Sequence, residues 1–167
     1  MDTELKALSI AVGQALASRK LMLACAESCT GGWISEVITA TAGSSDWFDR
    51  GMVTYSNQAK QQMLGVSQEA LKIHGAVSEE TARAMAMGAL THSVAQIALA
   101  VTGVAGPGGG SPGKPVGTVC FAWCREGRPA TSESRCFTGD REEIRRQTVI
   151  HSLHGVLALL NGAKTVP

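Results

Sequence analysis

The chain has 167 residues, a formal net charge of +1 and 44% hydrophobic residues. That is enough to bury one core unaided, and the charge is too balanced for a nucleic-acid stripe or a membrane-binding face. Five cysteines, an odd number, and a start (Met1-Asp2-Thr3-Glu4-Leu5) without the basic and apolar segments of a signal peptide predict reduced thiols and a cytoplasmic protein.

Leu5, Leu8, Val12 and Leu16 recur at helical spacing and predict a first amphipathic helix ending near Arg19-Lys20. Residues 21–26 are an apolar run of strand length, and Trp33, Ile34, Val37 and Ile38 return to helical spacing. Ala26-Glu27-Ser28-Cys29-Thr30-Gly31-Gly32 is therefore a strand-to-helix junction. Ser28 sits there among N–H groups that a first helical turn cannot pair internally, a setting that stabilises an anion or a carbonyl oxygen becoming one. The plainer alternative is that Ser28 or Thr30 only caps the helix.

Residues 42–46 predict a turn, and Trp47-Phe48 an aromatic packing anchor. Gly51-Met52-Val53-Thr54-Tyr55 reads as a short strand and Ser56-Asn57 as the cap of a helix carrying Lys60. Tyr55 and Lys60 thus flank a second strand-to-helix junction. Ser67 opens a short helix that stops at His74-Gly75, and Ser78-Glu79-Glu80 opens another through Met85, Met87 and Leu90, with the methionines expected in the core.

Residues 97–102 form a continuous apolar run, the mark of a strand covered on both faces. It feeds a glycine-rich loop, residues 103–115. Pro115 stands where a phosphate loop needs Ser or Thr, and a strand rather than a helix follows, so phosphate-loop and dinucleotide patterns are both rejected. The loop's bare backbone either lies against a ligand or simply connects. Residues 116–124 and 130–137 form a hairpin, which makes the sheet mixed. Asp140 and Glu143 resemble a capping box for a last helix bearing Ile144, Val149, Leu153, Val156 and Leu160. Arg141, Arg145 and Arg146 crowd its first turns, where cations oppose the helix dipole and call for a compensating carboxylate or ligand.

The expected fold is α/β: one compact domain over residues 1–167, a mixed sheet with a C-terminal hairpin, covered by helices. Cys25/Cys29 and Cys120/Cys124 have loose zinc-ligand spacing but lie in apolar strands, so neither a metal nor a cofactor is expected.

Ala26-Glu27-Ser28-Cys29-Thr30-Gly31-Gly32, Val53-Thr54-Tyr55-Ser56-Asn57 with Lys60, His74-Gly75-Ala76-Val77-Ser78, Gly103-Val104-Ala105-Gly106-Pro107 with Lys114-Pro115-Val116-Gly117-Thr118-Val119, and Gly139-Asp140-Arg141 together resemble the CinA C-terminal family over nearly the whole chain. The resemblance implies a self-associating α/β domain, a dimer being favoured. In stand-alone form the family hydrolyses the carboxamide of nicotinamide mononucleotide to nicotinic acid mononucleotide and ammonia, in pyridine nucleotide salvage. It implies a serine nucleophile with a lysine partner, which places those roles on Ser28 and Lys60, with Tyr55 nearby. Backbone N–H groups of Cys29, Thr30 and Gly31 would hold the oxyanion. Substrate contacts would come from Thr102, Gly103, Ala105 and Gly106, and from Arg141 for the phosphate, with Arg145 in reserve. Thr102 stands where many relatives have Ser. Two alternatives stay open: Cys29 as the nucleophile, since a helix N-terminus also favours a thiolate, and a nucleotide sensor without turnover.

Overall fold

A computed structural model describes residues 2–163 and 166–167. Its single sheet contains β1 (Leu23–Glu27), β2 (Phe48–Val53), β3 (Ile97–Gly103), β4 (Thr118–Arg125) and β5 (Thr131–Cys136) in the order β2-β1-β3-β4-β5. β1 pairs in parallel with β2 and β3, and the β3-β4 and β4-β5 pairs are antiparallel. The mixed sheet with its closing hairpin is the expected one. Among the described residues, the helices are α1 (Thr3–Ala17), α2 (Trp33–Thr39), α3 (Asn57–Leu64), α4 (Gln68–His74), α5 (Glu79–Thr91) and α6 (Arg141–Leu160).

The two-residue period of the strands sorts side chains by size. Leu23, Ile97, Leu99, Val101, Val119, Phe121 and Trp123 share one core with α1, α2 and α6. Ala24, Ala26, Ala98, Ala100, Cys120, Ala122 and Cys124 form the other core, with α5. Small side chains on that face let α5 lie close to the sheet, and a Cβ on its Gly88 would collide with the Leu64 carbonyl of α3. On the opposite face, burying each Leu, Val or Phe contributes about 1.5–3 kcal/mol.

Some local readings change. β2 begins at Phe48 rather than Gly51 because it is an edge strand, half of it exposed, so Arg50 joins the ladder, with Asp49 at a register shift before it, without an apolar signature. α1 stops at Ala17, and Arg19-Lys20 fall in the turn beyond it. Met85 is buried, but Met87 is 58% exposed; two residues apart on a helix, they occupy different faces. Trp47 is buried in the core as expected, after a single 3-10 turn over Ser44–Asp46. No helix among the described residues is long and apolar enough to cross a membrane.

From β1 the chain passes to β2 on one side, then returns through α3, α4 and α5 to β3 on the other. The crevice beyond the C-terminal ends of strands at such a switch point is where open α/β sheets hold ligands. Ser28 follows β1, Thr54 and Tyr55 follow β2, and Thr102 and Gly103 close β3.

Candidate active site

Ser56 caps α3 by accepting the Ala59 N–H at 3.0 Å, which sets Lys60 in the first turn with its side chain turned inward. Lys60 is 1% exposed. Its Nζ lies 3.1 Å from Ser28 Oγ and donates to the Thr54 carbonyl at 2.9 Å. Among the described residues Lys60 has no carboxylate partner. Burial therefore holds the amine below the ordinary lysine range, because desolvation penalises its charged form. The result is a buried amine, its charged form disfavoured by desolvation, beside a hydroxyl.

The junction after β1 is built differently. α2 has Gly32 at its N-cap, with φ of 99°, and no side-chain cap of its own. Gly31 and Gly32 both take left-handed backbone angles, so the chain turns back over the end of β1. There the fully buried Glu27 reaches forward. Its Oε2 accepts from Thr30 Oγ1 at 2.7 Å and from the Gly32 and Ile34 N–H groups at 3.0 Å each. Its Oε1 accepts the Ser35 N–H at 2.8 Å and Ser35 Oγ at 2.7 Å. Neither Ser28 nor Thr30 caps the helix; the preceding strand supplies the cap.

Most N–H groups from Ser28 to Glu36 are engaged, as buried backbone donors must be. Ser28 donates to Val101, Gly31 to Ser28, Trp33 to Thr30 and Glu36 to Gly32, while Gly32, Ile34 and Ser35 donate to Glu27. Among the described residues, only the N–H groups of Cys29 and Thr30 in this stretch meet no protein acceptor. The Gly31 N–H, also among the donors expected from sequence, donates to the Ser28 carbonyl at 3.0 Å.

The three arginines of α6 find separate partners. Arg146 pairs with Asp2 at 2.8 Å and Glu4 at 2.7 Å, carboxylates at the start of α1. Arg145 donates to the Cys29 carbonyl at 3.1 Å and the Thr30 carbonyl at 2.9 Å, and its guanidinium lies 5.3 Å from the centroid of the Trp33 ring. Arg141 donates to the Gly106 carbonyl at 2.7 Å and to the Tyr55 hydroxyl at 3.3 Å.

A cavity of about 190 Å³ is lined by Ser28, Cys29, Tyr55, Asn57, Lys60, Ala76, Val77, Thr102, Gly103, Ala105 and Arg141. Arg141 also borders a wider groove of about 610 Å³, lined by Thr30, Gly31, Gly32, Trp33, Glu36, Glu142 and Arg145. Most residues singled out from sequence therefore meet in the cavity, but Thr30, Gly31 and Arg145 line the groove beside it. Gly106 stands behind Arg141 as its acceptor. Thr102 uses its hydroxyl to hold the Ala76 carbonyl at 2.8 Å, which ties the segment before α5 to β3. Sequence reasoning gave no site role to Asn57, Ala76, Val77, Glu27 or Trp33. Glu27 carried a signal, a lone carboxylate closing an apolar strand.

Cys29 is 6% exposed, and burial pushes its thiol up to about 12. That burial disfavours the thiolate which the cysteine nucleophile left open above would need. Among the described residues, no group of three or more His, Cys, Asp or Glu is arranged to hold a metal ion.

The model of the CinA C-terminal domain matches residues 5–160. Over 152 residues the chain is 53% identical to the nicotinamide-nucleotide amidohydrolase PncC of Escherichia coli strain K12, covering 91% of this chain and 92% of that one. It is 52% identical to PncC of Pseudomonas putida, covering 91% and 94%. The crystal structure of the competence/damage inducible protein CihA from Agrobacterium tumefaciens superposes with a TM-score of 0.91 at 45% identity, covering 96% of this chain and 98% of that one. With a match that spans both junctions, the glycine-rich loop and α6, the chain belongs to the CinA C-terminal family.

Proposed function

We propose that this chain is an amidohydrolase that converts nicotinamide mononucleotide to nicotinic acid mononucleotide and ammonia, in pyridine nucleotide salvage. The observation that carries the reading is the 3.1 Å approach of Lys60 Nζ to Ser28 Oγ, with the lysine buried and without a carboxylate partner among the described residues. The names of the relatives supply the substrate.

Ser28 Oγ attacks the carboxamide carbon while neutral Lys60 takes the hydroxyl proton. The carbonyl oxygen becomes an oxyanion, and the Cys29 and Thr30 N–H groups are the donors left free to receive it. As the C–N bond breaks, the Lys60 ammonium returns its proton to the departing nitrogen, which leaves as ammonia. Water, deprotonated by Lys60, then cleaves the nicotinoyl ester on Ser28 and restores the hydroxyl.

The cavity of about 190 Å³ falls below the roughly 300 Å³ at which small-molecule pockets begin. It takes the pyridine carboxamide, and the ribose phosphate extends toward Arg141 at the rim. A guanidinium has five N–H donors, and Arg141 uses one on Gly106 and one on Tyr55, which leaves others for a phosphate. Tyr55, 63% exposed, stands at the same rim. Self-association into a dimer belongs to the same proposal and is read by light scattering. The deciding experiment incubates the protein with nicotinamide mononucleotide and measures ammonia and nicotinic acid mononucleotide. Binding without ammonia release would make the chain a nucleotide sensor.

A further inference from the structure

Arg145 does not line the cavity that holds Ser28 and Lys60, yet it grips the backbone of the nucleophile's own turn. In a trans peptide the C=O and N–H point in opposite directions, so fixing a carbonyl fixes the N–H that shares its plane. The Cys29 carbonyl, held by Arg145 Nε, shares its peptide with the Thr30 N–H, which is one of the two free donors. The Thr30 carbonyl, held by Arg145 Nη2, shares its peptide with the Gly31 N–H. That N–H donates to the Ser28 carbonyl at 3.0 Å, and the Ser28 carbonyl shares its peptide with the Cys29 N–H, the other free donor.

Two lines of aligned peptide dipoles therefore start at one guanidinium and end at the two unpaired N–H groups. A cation at the carbonyl end of such a line draws electron density along it and strengthens the terminal donor. Glu27 anchors the far end of the turn, taking the N–H groups of Gly32, Ile34 and Ser35, so the turn cannot swing with the arginine. Trp33 supports the guanidinium through its ring face.

We propose that Arg145 is a positioning residue for the oxyanion site: it aims and polarises the Cys29 and Thr30 N–H groups by holding the Cys29 and Thr30 carbonyls. This replaces its expected part as a reserve phosphate ligand. The catalytic half of the proposal rests on the amidase reading above; the grip on the turn does not.

The test uses Arg145→Met, which can still lie on Trp33, and Arg145→Lys, which keeps a cation without the planar fork. Removing one oxyanion donor costs on the order of 100-fold in kcat. Arg145→Met is expected to lower kcat on nicotinamide mononucleotide by about that factor, with KM and the affinity for nicotinic acid mononucleotide within about threefold, since the ground state makes little use of these donors. Arg145→Lys should fall between wild type and Arg145→Met. Site-resolved hydrogen exchange should show the Gly31 amide opening about tenfold faster in Arg145→Met while the β3 amides keep their protection.

A raised KM with kcat preserved would return Arg145 to phosphate binding and overturn the proposal. Joint loss of kcat, product affinity and β3 protection would reduce Arg145 to general stability and overturn it too. Unchanged Gly31 exchange would refute the grip whatever the kinetics. If the wild type released no ammonia, the amidase reading and the catalytic half would fall together, and the Gly31 exchange would still decide the grip.

Discussion

β1 and β2 end side by side, and each hands the chain to a helix, but they use serine in opposite ways. After β2, Ser56 commits its hydroxyl to the Ala59 N–H, an ordinary cap, and Lys60 follows within the first turn. After β1, Ser28 caps nothing, and the helix start is held by Glu27, five residues before the N-cap Gly32. In the proposed reaction the Ser28 hydroxyl must stay free of capping, and here the capping duty falls to the Glu27 carboxylate behind it. A serine cap accepts one N–H here, whereas Glu27 accepts five hydrogen bonds and fixes the whole turn. One junction is held by its own serine and delivers Lys60; the other is held by Glu27, which leaves the Ser28 hydroxyl to meet Lys60 and the Cys29 and Thr30 N–H groups unengaged.

Substituting each serine by alanine breaks that comparison most directly. Ser28→Ala is expected to lower kcat by about 10⁴-fold or more, the scale of losing a covalent nucleophile, with little change in melting temperature. Ser56→Ala should leave the chemistry in place and cost about 1 kcal/mol of stability, the usual value of an N-cap, or about 2–4 °C in melting temperature. Ammonia release and thermal denaturation measure both. Full activity in Ser28→Ala would remove the hydroxyl from the reaction.

Lys60 should separate activity from stability. Lys60→Met removes the base and is expected to cost about 10³-fold in kcat. Lys60→Arg should lose about as much, since a guanidinium stays charged at any working pH. In stability the sign reverses. Because burial lowers the folded-state value of the amine, the unfolded chain binds the proton more readily below the ordinary lysine value of roughly 10.4. Wild-type stability then rises with pH through the window beneath that value, and is lost again as pH falls toward the lowered folded value. Lys60→Met lacks this dependence. It should gain on the wild type in urea denaturation as pH falls below about 10, the ordinary lysine value. The kcat/KM profile of the wild type should rise along an acid limb placed below the ordinary lysine value; a limb at the unshifted value would mean the amine is solvated during turnover.

A smaller effect is expected at Arg141, on the rim between the two cavities. Charge-assisted hydrogen bonds to a phosphate are worth about 1.5–3 kcal/mol, so Arg141→Ala should raise KM for nicotinamide mononucleotide about 10- to 100-fold with a modest change in kcat. The wild type should favour the nucleotide over nicotinamide riboside by a similar factor, and the variant should lose that preference. Equal efficiency on both substrates in the wild type would show that the phosphate is not read.

The contrast between the junctions also marks what a sequence can disclose. Ser56, Ser67, Ser78 and the Asp140-Glu143 box were legible as helix starts because each cap acts within three residues of itself. The sheet was legible because β1, β3 and β4 are buried and apolar, and only the edge strand β2 hid its first residues. Glu27 was not read as a cap because two left-handed glycines fold the chain back to bring it within reach. The hold of Arg145 on the turn after β1 was not legible because its acceptors lie 115 and 116 residues away, and only the docking of α6 brings them together. The proximity of Ser28 and Lys60 came from the family resemblance; the parallel register of β1 and β2 supplies its physical cause.

The smallest effect is expected at Cys29, and it tests whether the β1 junction works through backbone or side chain. The thiol is buried with the core and is pushed up to about 12 by that burial, which disfavours the thiolate. What Cys29 contributes is its N–H, which any residue other than proline retains. Cys29→Ala should therefore keep kcat within about threefold, while the lost buried sulfur costs about 1 kcal/mol, comparable to trimming one methyl group from a core. The same inaccessibility should make Cys29 react with iodoacetamide at neutral pH far more slowly than Cys136, which is exposed. A Cys29→Ala variant that stayed folded and lost activity as fully as Ser28→Ala would transfer the nucleophile to the thiol, and the junction after β1 would then be a device for a side chain that the fold has otherwise put away.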